Sequence, residues 1–434
     1  MKIQLFLITG FLCFQPNTSL RAQNALGLRE TIQVALENNY EIKLIKDWSA
    51  ILKEQATKGN AGMLPSVFLN AGANKSSNNI NQVFSTGLEV NKNGVGSGNL
   101  NAGLALNWTI FDGMKMFTTY KKLIEISTQG ELQVKQQMEN SVMDIITNFY
   151  NLSRLTQKKT AIENTLAIYR ERLSIAETRL EIGSGSKADI LQAKLELNEQ
   201  LAAELQQNFA IQNLKSELNR QLGGTQTYDF IVDTSPAGTI QDRAFYESKL
   251  LNDNSAVKIA ESKWIQNNYQ IKEAISLSYP KLNLVANYNW NRTNSEAGFA
   301  LLNQSLGYTY GLTLSWNLFN GSVIKSNIQV AKINSHYYEI GIYSEKKRVQ
   351  EAFNQAYQAL TLSYAQLKLE EESVNIAKEY MQIILERFKL GKSTSLELKD
   401  AQNGYLQAQL RFADASYDQK IAESQLKKLN GTLL

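Results

Sequence analysis

Two hydrophobic rhythms run along this chain, one suited to a helix and one to a strand. Leu155, Ile162, Leu166, Tyr169, Leu173, Ala176 and Leu180 advance by 7, 4, 3, 4, 3 and 4 residues. Leu367, Val374, Ala377, Met381, Ile384 and Phe388 advance by 7, 3, 4, 3 and 4. This is heptad spacing, which lays an apolar stripe along a rod and packs it knobs-into-holes against a neighbour. A simple coiled-coil dimer would carry the same stripe, so it does not say how many rods meet. The second rhythm has period two. Leu100, Ala102, Leu104, Leu106, Trp108 and Ile110 share one face, opposite Asn101, Gly103, Ala105, Asn107 and Thr109. The same alternation runs through 282–290 and 306–318, and more weakly after Pro65.

Both rhythms occur twice. Trp108-Thr-Ile-Phe111-Asp-Gly113 returns as Trp316-Asn-Leu-Phe319-Asn-Gly321, 208 residues later. Arg179-Leu-Glu-Ile-Gly183 returns at the same shift as Arg387-Phe-Lys-Leu-Gly391, and Gly223 as Gly431. Asn39 precedes Pro65 by 26 residues, as Asn254 precedes Pro280. The chain therefore reads as a tandem duplication: a leader at 1–23, a first repeat at 24–223, a linker at 224–240 with Pro236 and Gly238, and a second repeat at 241–434. Each repeat should hold a helix of about 35 residues (28–62, 242–276), two strands, a helix of about 70 (113–182, 321–390), a tight turn, and a second helix of about 35 (187–222, 394–430). Seventy residues make a rod of roughly 105 Å. The two shorter helices stacked end to end would match it, giving a two-rod layer.

The strands carry a strong signal of their own. One face is apolar; the other is small or polar and almost uncharged, with Lys281 the exception. A soluble antiparallel sheet with one wet face would usually carry Lys and Glu there. Strands of about ten residues suit a tilted bilayer crossing, and Trp108, Trp290 and Trp316 fall near strand ends, where membrane-interface aromatics belong. The segments 75–99 and 291–305, rich in Asn, Ser and Gly, read as outer loops. Four strands cannot close a barrel, and an open edge in lipid leaves backbone groups unpaired. Copies must therefore associate; two would give eight strands and three would give twelve.

Composition narrows the function. Lys2 followed by an apolar run from Ile3 to Phe14 reads as an export signal. Cys13, the single cysteine, lies inside that run after Leu12, which is too large for a usual lipid-attachment site. Loss of Lys2 and Arg21 lowers the formal charge from +4 to +2, giving no electrostatic case for nucleic acid. No segment has the 18 or so consecutive apolar residues of a spanning helix. His336 is the single histidine, so neither a metal site nor another cofactor is expected. Gly183-Ser-Gly185-Ser lacks the Gly-Lys-Ser/Thr ending of a phosphate loop, and Glu370-Glu371-Glu372 reads as a solvated helix face. Nothing here points to an enzyme.

Together these features resemble the TolC-type outer-membrane efflux protein family, over essentially the whole mature chain. The turn after each long helix carries the most specific likeness: Arg179, Leu180, Gly183, Ser186 and Asp189, ending on Leu191 and Ala193, then Arg387, Phe388, Gly391, Thr394, Glu397 and Ala401. The resemblance implies an α+β fold in which a long α-helical coiled-coil barrel joins a shared transmembrane antiparallel β-barrel. It implies a homotrimer in the cell outer membrane, a helical tunnel in the periplasm, and tip turns (Arg179, Gly183, Ser186, Arg387, Gly391, Thr394) that dock a periplasmic adaptor joined to an inner-membrane pump. Such a chain is a passive exit duct of a tripartite pump or a type I secretion system. Glu397 and Asp400 fall where the family forms acidic rings at the pore constriction, and Asp189 where it has a latch aspartate; Glu397 could instead complement its helix N-terminus. The family's latch also uses a Tyr and an Arg, but Phe388 and Ser393 stand there, so that latch does not carry over. The alternative from another class is a secreted coiled-coil scaffold that binds partners and never enters lipid.

Overall fold

The computed structural model describes residues 25–231, 242–248, 250–296 and 300–433. The proposed leader with Cys13, and Pro236 and Gly238 of the proposed linker, lie outside the described residues. The elements run β1 (Ala25–Leu26), α1 (Leu28–Asn38), α2 (Tyr40–Gln55), β2 (Ser66–Val83), β3 (Glu89–Phe111), α3 (Lys115–Glu181), α4 (Lys187–Leu222) and β4 (Asp229–Phe230). The order then nearly repeats: α5 (Arg243–Glu247), α6 (Leu250–Asp253), α7 (Ser255–Ser276), β5 (Lys281–Ser295), β6 (Leu302–Ser315), α8 (Val323–Lys389) and α9 (Ser395–Leu429).

The first helix of each half is broken where a single rod is expected. Asn39 ends α1 with an extended backbone (ψ 128°), and its side-chain amide donates to the Gln221 carbonyl at 2.7 Å. Asn254 precedes α7 with ψ 121°; its Oδ1 accepts from the amides of Ala256 and Val257, and its Nδ2 donates to the Leu429 carbonyl. A short polar side chain can take over backbone hydrogen bonding and so stop a helix. The recurring asparagine is the joint at which the end of the neighbouring helix is held.

The chain divides into two packed units. One comprises the chain to Asn39, Ile145–Ala237 and Lys368–Tyr417. Its core joins Ala35, Phe149, Leu152 and Leu218 near α1, Ile162 and Leu166 with Leu406, and Met381, Ile384 and Phe388 with Leu398. Much of the heptad stripe is thus buried, although Leu180 remains exposed. A short parallel pairing of β1 with β4 also belongs here, and two residues carry no periodicity from which to foresee it.

The other unit comprises Tyr40–Asp144, Gly238–Leu367 and the chain from Asp418. Val257, Val349, Phe353, Leu360 and Leu426 form its helical core. Lys122 pairs with Glu273, Ser262 with Glu125 and Ser255 with Glu139 between α3 and α7, and Ser335 with Asn268 between α8 and α7. Gln137 on α3 reaches Glu41 on α2. The sheet has the order β2-β3-β5-β6, antiparallel throughout. Its strands correct the expected loop at 75–99. Pairing of β2 with β3 continues to Val83↔Glu89, and Phe84 and Leu88 close the turn, with Gly87 at φ 83°. Asn, Ser and Gly hold a ladder there because the backbone, not the side chain, makes its bonds. The expected strand over 306–318 instead lies at Leu302–Ser315, leaving Trp316 and Leu318 beyond it. Among the described residues no helix is long and apolar enough to cross a membrane.

Candidate functional site

The tip turns of the first unit are built twice from the same parts. α3 ends in a Gly183 turn at φ 77°, where the amides of Ser184 and Gly185 both donate to the Arg179 carbonyl at 2.9 Å. α8 ends in a Gly391 turn at φ 73°, where the Lys392 amide donates to the Arg387 carbonyl at 2.8 Å. Left-handed backbone costs a side-chain-bearing residue, which is why glycine recurs. A capping box then starts each next helix. The Asp189 carboxylate accepts from the Ser186 amide at 3.0 Å, while Ser186 Oγ accepts from the Asp189 amide at 3.2 Å. Glu397 and Thr394 repeat the arrangement at 2.9 and 3.2 Å.

These bonds set the charge of the tip. The Ser186 hydroxyl and then its amide hold the Asp189 carboxyl below its ordinary value. The Thr394 amide does the same for Glu397. Asp189, Glu397 and Asp400 are all exposed within the protomer. Asp189 bonds within its own turn. Phe388 instead engages Arg179, whose guanidinium stands 4.4 Å over its ring and donates to its carbonyl. Arg387 reaches the Lys392 carbonyl at 3.3 Å.

A buried charge cluster nearby escapes sequence reasoning. Arg172 and Glu196 are each 2% exposed and paired. Arg172 also donates to Ser395 Oγ, and Glu196 meets Lys399 at 3.2 Å and Gln192 at 2.6 Å. The available signal was an arginine beside Leu173, on the apolar face between Tyr169 and Ala176.

In the second unit, two of the three tryptophans expected at a membrane interface bond to the backbone of a helix-to-strand corner. Trp108 Nε1 donates to the Met63 carbonyl and Trp316 Nε1 to the Ser278 carbonyl, each at 3.0 Å. Both acceptors lie two residues before the proline that opens a strand pair, so each indole pins a helix-to-strand corner. Trp290 lies within β5 opposite Ala102 and Leu306. Among the described residues, no group of three or more His, Cys, Asp or Glu could hold a metal ion; His336 is exposed beside Glu339.

Comparison with known proteins agrees with this architecture. The outer membrane efflux protein BepC of Brucella suis is 21% identical over 338 residues, 76% of this chain and 72% of its own length. The outer membrane protein TolC of Escherichia coli is 21% identical over 425 residues, covering 94% of this chain and 83% of its own. The Campylobacter jejuni CmeC outer membrane channel matches the fold at a TM-score of 0.80 and 16% identity, over 94% of this chain and 86% of that one. The model of the outer membrane efflux proteins matches twice, at residues 31–224 and 247–432. The chain therefore belongs to the outer membrane efflux protein family, and is an outer-membrane exit duct.

Proposed function

We propose that three copies of this chain close one passive duct, docked at its tip turns on a periplasmic adaptor of an inner-membrane pump, without catalysing a reaction. The carrying observation is how the open faces of the second unit are linked. β2 and β6 are the free edges of the sheet. β2 follows α2, which exposes Tyr40, Leu44, Trp48 and Ile51. β6 leads into α8, which exposes Val330, Ile333, Tyr337 and Ile340. Pairing β6 of one copy with β2 of the next satisfies the edge and brings two apolar stripes together. In the first unit, α4 and α8 are likewise open: Leu191, Leu195, Leu205 and Phe209 on one, Leu369, Ile376 and Ile383 on the other. The contacts are head-to-tail, which close into a ring; the resemblance to the family supplies the number three.

Within such a ring, Trp108, Trp290 and Trp316 belong at the membrane interface, and Asp189, Glu397 and Asp400 line the constriction. Threefold repetition of Glu397 and Asp400 gives six carboxylates around one opening, which favours cations. The test is conductance in planar bilayers. The wild type should prefer cations and be blocked by a trivalent cation from the tip side. Glu397→Ala with Asp400→Ala should lose both properties and still insert. Unchanged selectivity and block would remove these residues from the constriction, and recovery of the protein without detergent would favour the secreted scaffold.

A further inference from the structure

We propose that the corner between β6 and α8 holds the headgroup phosphate of an anionic phospholipid from the periplasmic leaflet, bound by Lys325 and Lys332. This rests on the duct reading, which puts β6 in the outer membrane, and adds a lipid ligand to it.

The corner forms a recess of about 490 Å³, and Trp316, Leu318, Phe319, Lys325 and Lys332 are among its lining. Two chemistries meet in it. Leu318 and Phe319 are 79% and 83% exposed, an apolar lip with no cover within the protomer. Lys325 and Lys332 stand exposed on the adjoining helix, and no Asp or Glu lines the recess to neutralise them. An apolar lip beside uncompensated positive charge complements an acyl chain joined to an anionic headgroup.

Position selects lipid over a soluble anion. The 14 residues of β6, tilted by about 45°, rise roughly 33 Å, close to the thickness of the hydrocarbon core. Leu318 and Phe319 then fall where the acyl chains end, and the lysines where headgroups begin. Helical side chains lean toward their helix N-terminus. In α8 that is the membrane end, so both lysines lean toward the headgroup layer. Trp316 continues the even-numbered apolar face of β6, which sets the recess on the lipid side of the sheet. Successive helical residues are about 100° apart, so Lys332 stands clear of the stripe through Ile333 that meets the next copy. The duplication supplies an internal contrast. At the 208-residue shift, Phe117 and Ile124, each 44% exposed, stand where Lys325 and Lys332 do, and Asp112 stands for Asn320. The first repeat builds its corner without these lysines, so the fold of a corner does not require them.

The experiment is native mass spectrometry of the full-length protein, released from detergent after incubation with equimolar phosphatidylglycerol and phosphatidylcholine. The assembled wild type should retain phosphatidylglycerol in preference. Lys325→Gln with Lys332→Gln should cut that preference by about tenfold or more, since each basic residue beside an anionic headgroup contributes a factor of about five. Lys325→Arg with Lys332→Arg should keep it. Lys368→Gln with Lys378→Gln makes the same charge change at exposed positions farther along α8, and should also keep it. Excess inorganic phosphate should leave the lipid bound; displacement would replace the lipid with a free anion and overturn the proposal. It is equally overturned if the wild type shows no preference, if the Lys325–Lys332 glutamine variant keeps it, or if the Lys368–Lys378 variant loses it as much. Loss of the assembly in the Lys325–Lys332 glutamine variant would assign the recess to the neighbouring copy and overturn the lipid occupant. A protein recovered without detergent would overturn the duct reading and this inference with it. A duct that inserts into vesicles but retains both lipids alike would overturn this inference alone.

Discussion

The duplication supplies a matched pair of glycines for a quantitative test. Gly113 and Gly321 occupy the same place in the two Phe-x-Gly turns, at φ 71° and 67°. Replacing either with alanine puts a side chain in left-handed backbone, which costs about 1–2 kcal/mol. Their surroundings differ. A methyl on Gly113 would lie 2.5 Å from the Ser276 carbonyl oxygen and 2.8 Å from Tyr279 Cβ, whereas on Gly321 it meets no described atom within 4 Å. The Ser276 carbonyl is already bonded to the Tyr279 amide at 3.1 Å, so moving it disturbs the end of α7. Such overlap adds about 1–3 kcal/mol. Gly321→Ala should thus lose about 1–2 kcal/mol, and Gly113→Ala about 2–5 kcal/mol. Guanidinium unfolding of the purified protein in detergent, followed by helical circular dichroism, would compare the midpoints. Equal losses, or a larger loss at Gly321, would refute the close-approach reasoning and put an unrecognised neighbour over Gly321.

Two further outcomes follow. Trp108→Phe and Trp316→Phe should each lower stability by about 0.5–1.5 kcal/mol through the lost indole bond, with Trp290→Phe, which makes no such corner bond, affected less; equal melting temperatures for all three would dismiss the corner pins. In an Asp400→Asn channel, the residual cation preference should follow Glu397. Because its carboxyl is held below the ordinary 4.5, its charge should persist at pH 4.5 and be lost only as pH falls through the lower folded value; reversal potentials between pH 7 and 3 would show this, and loss of preference above pH 4.5 would contradict it.

Much of this fold was legible because its signals are long. α4 falls on the expected 187–222, and α3 and α8 lie within two residues of expectation, since sixty-seven residues of consistent spacing leave little room for error. The glycine turns were legible as spaced residue types, whereas the reciprocal capping bonds of Ser186 with Asp189 and of Thr394 with Glu397 were not read from their spacing. What was hidden depends on partners distant in sequence. Nothing in Asn39 or Asn254 announces a carbonyl some 180 residues away. The Arg172 cluster draws on three helices, and its members look like ordinary surface charges until assembled. The hairpin at 75–99 was misread for another reason: period-two reading needs an apolar face, and a ladder of Asn, Ser and Gly offers none.

That hairpin has a consequence for what this protein can tolerate. β3 loses its partner β5 beyond Ser97, yet continues with β2 to Glu89, a ribbon of roughly 27 Å beyond the last residue paired to β5. Sheet register is set below it, so the Thr86-Gly87 bend can lengthen or change without shifting any strand in the sheet proper. Such a bend suits a grafted epitope.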